Sequence, residues 1–198
     1  MNSDFEALDL LGVGIGPFNM SLAALLSPLG DIDSKFFDAR PNFVWHAGQL
    51  MPDAEIQVSH MKDLVTLVDP TNPYSFLAYL RSQKRLYRFI NSNFRHVLRM
   101  EFSQYLEWVS RSLDNLIFDE AVQDIKFKKC GFVMQTSKRI IRGRHLALAS
   151  GLAPNLPECA KVHMGQNVYH IKDFLHRASN FAGKRIVVVG GGQSGAEA

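Results

Sequence analysis

The stretch Asp9 to Leu25, DLLGVGIGPFNMSLAAL, constrains this chain most, because a short apolar run enters a glycine-rich turn and leaves it as a helix former. Leu8, Leu10 and Leu11 suit the buried end of a parallel strand, and Met20, Leu22, Ala23, Ala24 and Leu25 suit the following helix. Gly12 permits the tight turn. Gly14 lets a pyrophosphate approach with no Cβ in its way, and the helix start offers unpaired N–H groups and the positive end of its dipole. Pro17 stands where G-x-G-x-x-G would carry its third glycine, with Gly16 before it; proline has no N–H to lose in a first helical turn. The same small residues would also serve strand-to-helix packing alone. A second apolar run, Lys35-Phe36-Phe37, ends in Asp38, near the spacing of about 20 residues at which a carboxylate accepts hydrogen bonds from an adenosine ribose.

A further turn of this kind follows Lys184-Arg185-Ile186-Val187-Val188-Val189, a run that predicts a β-strand. Gly190, Gly192 and Gly195 complete a full G-x-G-x-x-G, with Gly191, Gln193 and Ser194 among them. Turns so far apart open separate nucleotide folds. Cys130 and Cys159 have neither C-x-x-C nor metal-ligand spacing, so neither a redox dithiol nor a metal site is expected. Two nucleotide folds without a dithiol most simply move hydride from a nicotinamide to a flavin. The formal charge is only +3, with 22 Lys and Arg against 19 acids, and no block of charge argues for nucleic acid. No run reaches transmembrane length. Asp4, Glu6 and Asp9 replace the positive start of a secretion signal, which makes the cytoplasm the default expectation.

Between the turns, Phe76 to Asn91 predicts an amphipathic helix with Phe76, Leu77, Leu80 and Tyr87 on its apolar side, and Glu101 to Leu116 predicts a second. Arg81, Lys84, Arg85 and Arg88 recur at helical spacing and read as a solvated face. Leu116-Ile117-Phe118, Ile125-Lys126-Phe127, Phe132-Val133-Met134 and Arg139-Ile140-Ile141 read as short strands of an antiparallel insert, and His145 to Ala149 as the next strand. Phe43 and Trp45, in the loop after Asp38, suit either a ring-stacking platform for adenine or flavin or plain core anchors. A lone His170 is assigned no role.

Three segments together, GVGIGPFN, FFDARPNFVWHAG and IQVSHMKDLVTLVDPTNPYSFLAYL, resemble the flavin-dependent N-hydroxylating monooxygenases of siderophore biosynthesis, the lysine, ornithine and diamine N-monooxygenases. The resemblance runs over almost the whole chain. It implies an α/β chain with a Rossmann-like FAD-binding domain of three-layer ββα type, a small antiparallel insert, and the first strand of a second, NADPH-binding Rossmann-like domain. The implied division is 1–160 for the flavin domain, 161–183 for a linker and 184–198 for the start of the NADPH domain. Asp38, Arg40, Phe43, Trp45 and His46 fall in the implied flavin site with Gly12, Gly14, Gly16 and Pro17. Val122 matches a position whose backbone meets the adenine, although a hydrophobic spacer is the simpler role. Ser150-Gly151 resembles the turn that closes the flavin domain.

Gln57 matches the family glutamine beside the reactive edge of the flavin, and Lys62 the lysine that contacts the substrate, where residue type alone would suggest a surface charge. Gly190 to Gly195 match the NADPH loop. The implied reaction uses FAD, NADPH and O2 to hydroxylate a primary amine through a C4a-hydroperoxyflavin. L-lysine, a diamine such as putrescine or cadaverine, or L-ornithine would be the small-molecule partner, and a homo-oligomer is left open. Ala47, Gln49 and His60 depart from the residues frequent in relatives, which leaves the substrate open. Because family chains continue beyond Ala198, the expectation is of an N-terminal fragment with little turnover of its own. The alternatives are a flavin-binding module without catalysis or a different NAD(P)H-dependent flavin oxidoreductase.

Overall fold

The computed structural model describes residues 7–94, 96–129, 131–177, 181 and 183–197. Its frame is one six-stranded sheet, built on β1 (Leu8–Val13) and β2 (Ser34–Phe37), which run parallel and are joined through α1 (Pro17–Leu26). β3 (Leu116–Ile117) adds to the free side of β2, also in parallel. β4 (Val122–Lys128), β5 (Gly131–Thr136) and β6 (Ile140–Leu148) form an antiparallel meander, and β6 also pairs with β1 in parallel. The strand order is β3-β2-β1-β6-β5-β4.

This corrects the expected insert in two places. The segment from Leu116 belongs to the parallel sheet rather than the meander, because the backbone of Phe36 and Asp38 bonds to Asn115 and Ile117. Arg139–Ile141 and His145–Ala149 are not separate strands but fall along the single nine-residue β6, which pairs with β5 over its first half and with β1 from Gly143 on. Gly143 sits at the changeover. A Cβ there would lie 2.5 Å from the Leu11 side chain, so only glycine lets the strand pass so close.

Alternation along the strands divides the core between the two faces of the sheet. Phe36 and Leu10 face a cluster with Met20, Ala23 and Ala24 of α1 and with Tyr105, Leu106 and Val109 of the helix Arg99–Ser112. Leu11 and Phe37 face Met134 and the meander. The predicted helix over 76–91 is two helices, α2 (Phe76–Ser82) and α3 (Leu86–Ser92). Between them Lys84 takes a left-handed conformation, φ 57°, and the N–H of Arg85 bonds to the Leu80 carbonyl, a C-cap that usually announces itself with glycine. The break turns Tyr87 outward, contrary to its expected apolar placement: it is 80% exposed. Arg99–Ser112 is α4 and starts slightly earlier than expected; Leu116 is strand.

Downstream are three short helices, α5 (Glu158–Lys161), α6 (Phe174–Arg177) and α7 (Gln193–Glu197). A 3-10 turn at Ile171–Asp173 presses so closely on the turn Ala47–Gln49 that a Cβ on Gly48 would meet the Lys172 carbonyl oxygen at 1.9 Å. The predicted strand from Lys184 to Val189 is not formed. These residues pair with no strand among the described residues, and Val187 and Val189 are more than four-fifths exposed. A buried parallel strand needs a neighbour to complete its ladder, and none is present here. No described helix is long and apolar enough to cross a membrane.

Candidate functional site

The first glycine turn sits at the carboxyl ends of β1, β2 and β6, where an open parallel sheet forms its crevice. Gly14 has φ 84°, and a Cβ on it would lie 2.4 Å from the Ala149 carbonyl oxygen, so the turn is wedged against the chain that leaves β6 for Ser150-Gly151. Its N–H donates to the Phe37 carbonyl at 2.8 Å. Asn19, buried in the first turn of α1, donates its side-chain amide to the carbonyls of Val13 and Gly14 at 3.1 and 2.9 Å. Gly16 is the N-cap and Pro17 the first helical residue, with no side chain capping that end. A Cβ on Gly16 would meet nothing within 4 Å, leaving open space before the helix start.

Asp38 is at the expected place but its carboxylate is already engaged. One oxygen accepts from the N–H and the Nε of Arg40, both at 2.9 Å; the other accepts from the Ile15 N–H at 2.8 Å and from Arg40 Nη2 at 2.7 Å. A carboxylate offers about four acceptor positions. With these four contacts Asp38, the residue expected beside a ribose, clamps the glycine turn to Arg40. Burial alone would raise its pKa, but the hydrogen bonds from Arg40 and Ile15 together hold the carboxyl below the ordinary range. Arg40 also donates to the carbonyls of Ile15 at 2.9 Å and Val44 at 2.7 Å, tying the turn to the loop that follows β2.

In that loop Phe43 is buried in the larger core cluster, where it serves as an anchor. Trp45 packs at the edge of the same cluster, 5.8 Å from Phe102 and 5.1 Å from His46 between ring centroids. His46 takes a left-handed backbone, φ 47°. Its imidazole is held below the usual histidine pKa, first by desolvation and then by the charge of Arg99. Val122 opens β4 opposite Thr136, partly buried against the smaller cluster.

Gln57 and Lys62 are both exposed on the segment that crosses α1. Asp63 fixes this segment: its carboxylate accepts from the N–H groups of Val65, Thr66 and Phe76 and from the Thr66 hydroxyl, at 2.6 to 3.0 Å. The Ser21 hydroxyl of α1 bonds to the Leu64 carbonyl, and the buried Tyr105 hydroxyl bridges Leu64 N–H and the Tyr74 carbonyl. Burial raises the Tyr105 pKa, which keeps it a donor. His60 stacks edge-on against Phe89, 5.2 Å between centroids, and lies 6.0 Å from Phe76, so its ring fills an aromatic's place.

Gln57 lines a cavity of about 350 Å³ with Asp53, Glu55, His96, Gln193 and Glu197, so Gln57 and the helix that follows the second glycine turn share one space. Lys62 does not line it. In the second turn Gly190 has φ 118°, the N–H groups of Gly195 and Ala196 return to the Gly192 carbonyl, and a Cβ on Gly195 would approach the Gly190 oxygen to 2.8 Å. Gly191, Gly192 and Ser194 do not line this cavity. Sequence reasoning missed Asn19, Asp63 and Arg99. The signal for Asn19 was a polar residue on the buried side of a helix's first turn; Asp63 and Arg99 had no local pattern.

A parallel sheet with a glycine turn at its crevice, a clamped acidic residue ending the second strand and an antiparallel meander beside it defines a Rossmann-like dinucleotide-binding α/β protein. Residues 6–198 match the L-lysine 6-monooxygenase/L-ornithine 5-monooxygenase family, and the chain belongs to it. It is 46% identical over 194 residues to the L-lysine N6-monooxygenase of Escherichia coli, covering 97% of this chain and 45% of that protein. The ornithine N-hydroxylase of Kutzneria sp. 744, solved with reduced FAD, NADP+ and L-ornithine, superposes with a TM-score of 0.85 at 32% identity, over 96% of this chain and 49% of that one. The FAD-bound cadaverine monooxygenase of Erwinia amylovora gives 0.83 at 30% identity, over 86% and 41%. The chain thus spans under half the length of each of these three relatives.

Proposed function

We propose that this chain supplies the flavin-binding part, residues 1–160, a linker, 161–183, and the opening of the NADPH-binding part, 184–198, of an amine N-hydroxylase. The substrate is L-lysine or a diamine such as putrescine or cadaverine, with L-ornithine next, and the hydroxylamine feeds hydroxamate siderophore biosynthesis. The observation that carries this reading is the shared cavity, in which Gln57 from the first unit faces Gln193 from the second glycine turn. When bound, FAD activates O2 and NADPH supplies the reducing equivalents.

The residues present fit a flavin dinucleotide. The open space at Gly16 and the uncapped start of the ten-residue α1 suit a pyrophosphate, and Gly14 keeps the turn narrow. Arg40, rather than Asp38 alone, presents the polar edge beside that turn. Gln57 holds the flavin edge, and Lys62 contacts the substrate, by charge where that substrate is an amino acid with a carboxylate and by hydrogen bonding from its neutral form where it is a diamine. The amine attacks only when neutral, and a lysine-type amine has a pKa near 10 in water. A site that excludes water favours the uncharged form and lets the nitrogen react.

The test is a visible spectrum of the purified chain with FAD, followed by NADPH oxidation and hydroxylamine formation in the protein carried to family length. Hydroxylamine that depends on lysine or a diamine is the expected result. NADPH oxidation without hydroxylamine for any amine tested would overturn the reading. The unpaired segment from Lys184 to Val189 favours a second outcome for the chain by itself, a yellow FAD-binding protein without turnover.

A further inference from the structure

Arg99 contacts three parts of the molecule. Its backbone is pinned to the segment that leads into Gln57: its N–H donates to the Ala54 carbonyl at 2.7 Å, the Ile56 N–H donates to the Val97 carbonyl at 2.9 Å, and Glu55 bridges Leu98. Its guanidinium lies over the Trp45 ring, 5.9 Å from the centroid, in the loop that Arg40 ties to the first glycine turn. Its Nη1 donates to Glu197 Oε2 at 2.8 Å, in an ion pair whose side chains are only 12% and 20% exposed. The other oxygen of Glu197 accepts from Gln193 Nε2 at 2.7 Å, which fixes the Gln193 amide at the wall it shares with Gln57.

The α7 helix has five residues and stands after an unpaired segment, so its own backbone does little to hold it. The sheltered ion pair supplies what the backbone lacks. Cut off from water on most sides, it is screened less than a surface pair, and losing one partner leaves the other charge poorly solvated.

We propose that Arg99 and Glu197 form a latch that holds the second glycine turn against the Gln57 cavity and so sets where a visiting nicotinamide dinucleotide lies. Arg99 and Glu197 are positioning residues, acting through Gln193 and Trp45. The dinucleotide part of this inference rests on the function proposed above; the latch itself does not.

The test is a charge-reversal cycle, Arg99→Glu, Glu197→Arg and the double variant, read by hydrogen–deuterium exchange of the segment 190–197 in the chain. Local opening sets exchange, so each single variant is expected to exchange this segment about fivefold faster, and the double variant to return within about twofold of the parent. Arg99→Gln is made as well, because it removes the charge without placing a carboxylate on Trp45. Unchanged exchange in the single variants, or no recovery in the double, would overturn the latch. In the protein carried to family length, the single variants are expected to raise the KM for NADPH about fivefold with kcat within about twofold, again recovered in the double. If that protein shows no NADPH dependence even unmutated, the function reading fails while the exchange cycle still decides the latch.

Discussion

The two glycine turns differ in a way opposite to their motifs. The first lacks its third glycine yet is held from every side, by β2 through Gly14 and Phe37, by α1 through Asn19, by Asp38 and Arg40, and by the chain leaving β6. The second is the complete fingerprint, but it follows an unpaired segment and leans on a few contacts, chief among them Arg99 with Glu197. A glycine pattern marks where backbone can come close to a phosphate. The neighbouring strands, not the pattern, make it rigid.

The largest expected effect is at the first turn. Gly14→Ala forces a side chain into a left-handed backbone and against the Ala149 carbonyl, and should destabilise the chain by roughly 3 kcal/mol or more in urea unfolding. Gly192→Ala, where a Cβ meets nothing, should stay within about 0.5 kcal/mol, and a comparable loss there would end the contrast. Next is Asp38→Asn, which leaves Arg40 and the Ile15 N–H poorly matched in a part-buried site and should cost about 2 kcal/mol and weaken FAD binding.

Acid sharpens the comparison. Asp38 and Glu120 both titrate below their ordinary values: for each, burial pushes the pKa up, and hydrogen bonds, to Arg40 and Ile15 or to Arg139 and Thr136, more than reverse it. A carboxyl depressed on folding adds stability that is full above its unfolded pKa, about 4, and is lost as pH falls through the folded value. Melting temperatures should therefore fall below about pH 4, and less steeply in Asp38→Asn. The smallest effect is expected from Val187→Ser, on an exposed residue: stability within about 0.5 kcal/mol, with aggregation reduced in light scattering.

The fold was legible where periodicity and small residues coincide. The run from Leu8, the glycines at 12 and 14 and the helix after Pro17 were all readable, because burial of β1 and close approach at the turn each leave a mark on residue type. The break at Lys84 was not, since a lysine there gives no sign of a left-handed backbone. Nor was the continuity of β6, because Gly143 and Arg144 look like a turn until β1 and β5 are placed on either side. At the site, Asp38 was legible from its spacing, but its clamp on Arg40, two residues on, was not, because no sequence pattern marks that pairing. The strand predicted from Lys184 is not formed, because β-propensity does not supply a neighbour.

The pairing of Leu8 with Gly143 joins the opening of the chain to a strand made more than a hundred residues later. During synthesis the first turn therefore lacks the wall it leans on until β6 has left the ribosome, and contacts this distant in sequence are closed late and slowly. A nascent chain halted before Gly143 should remain sensitive to protease around Gly14, and release of β6 should join the parallel and antiparallel parts of the sheet in a single step.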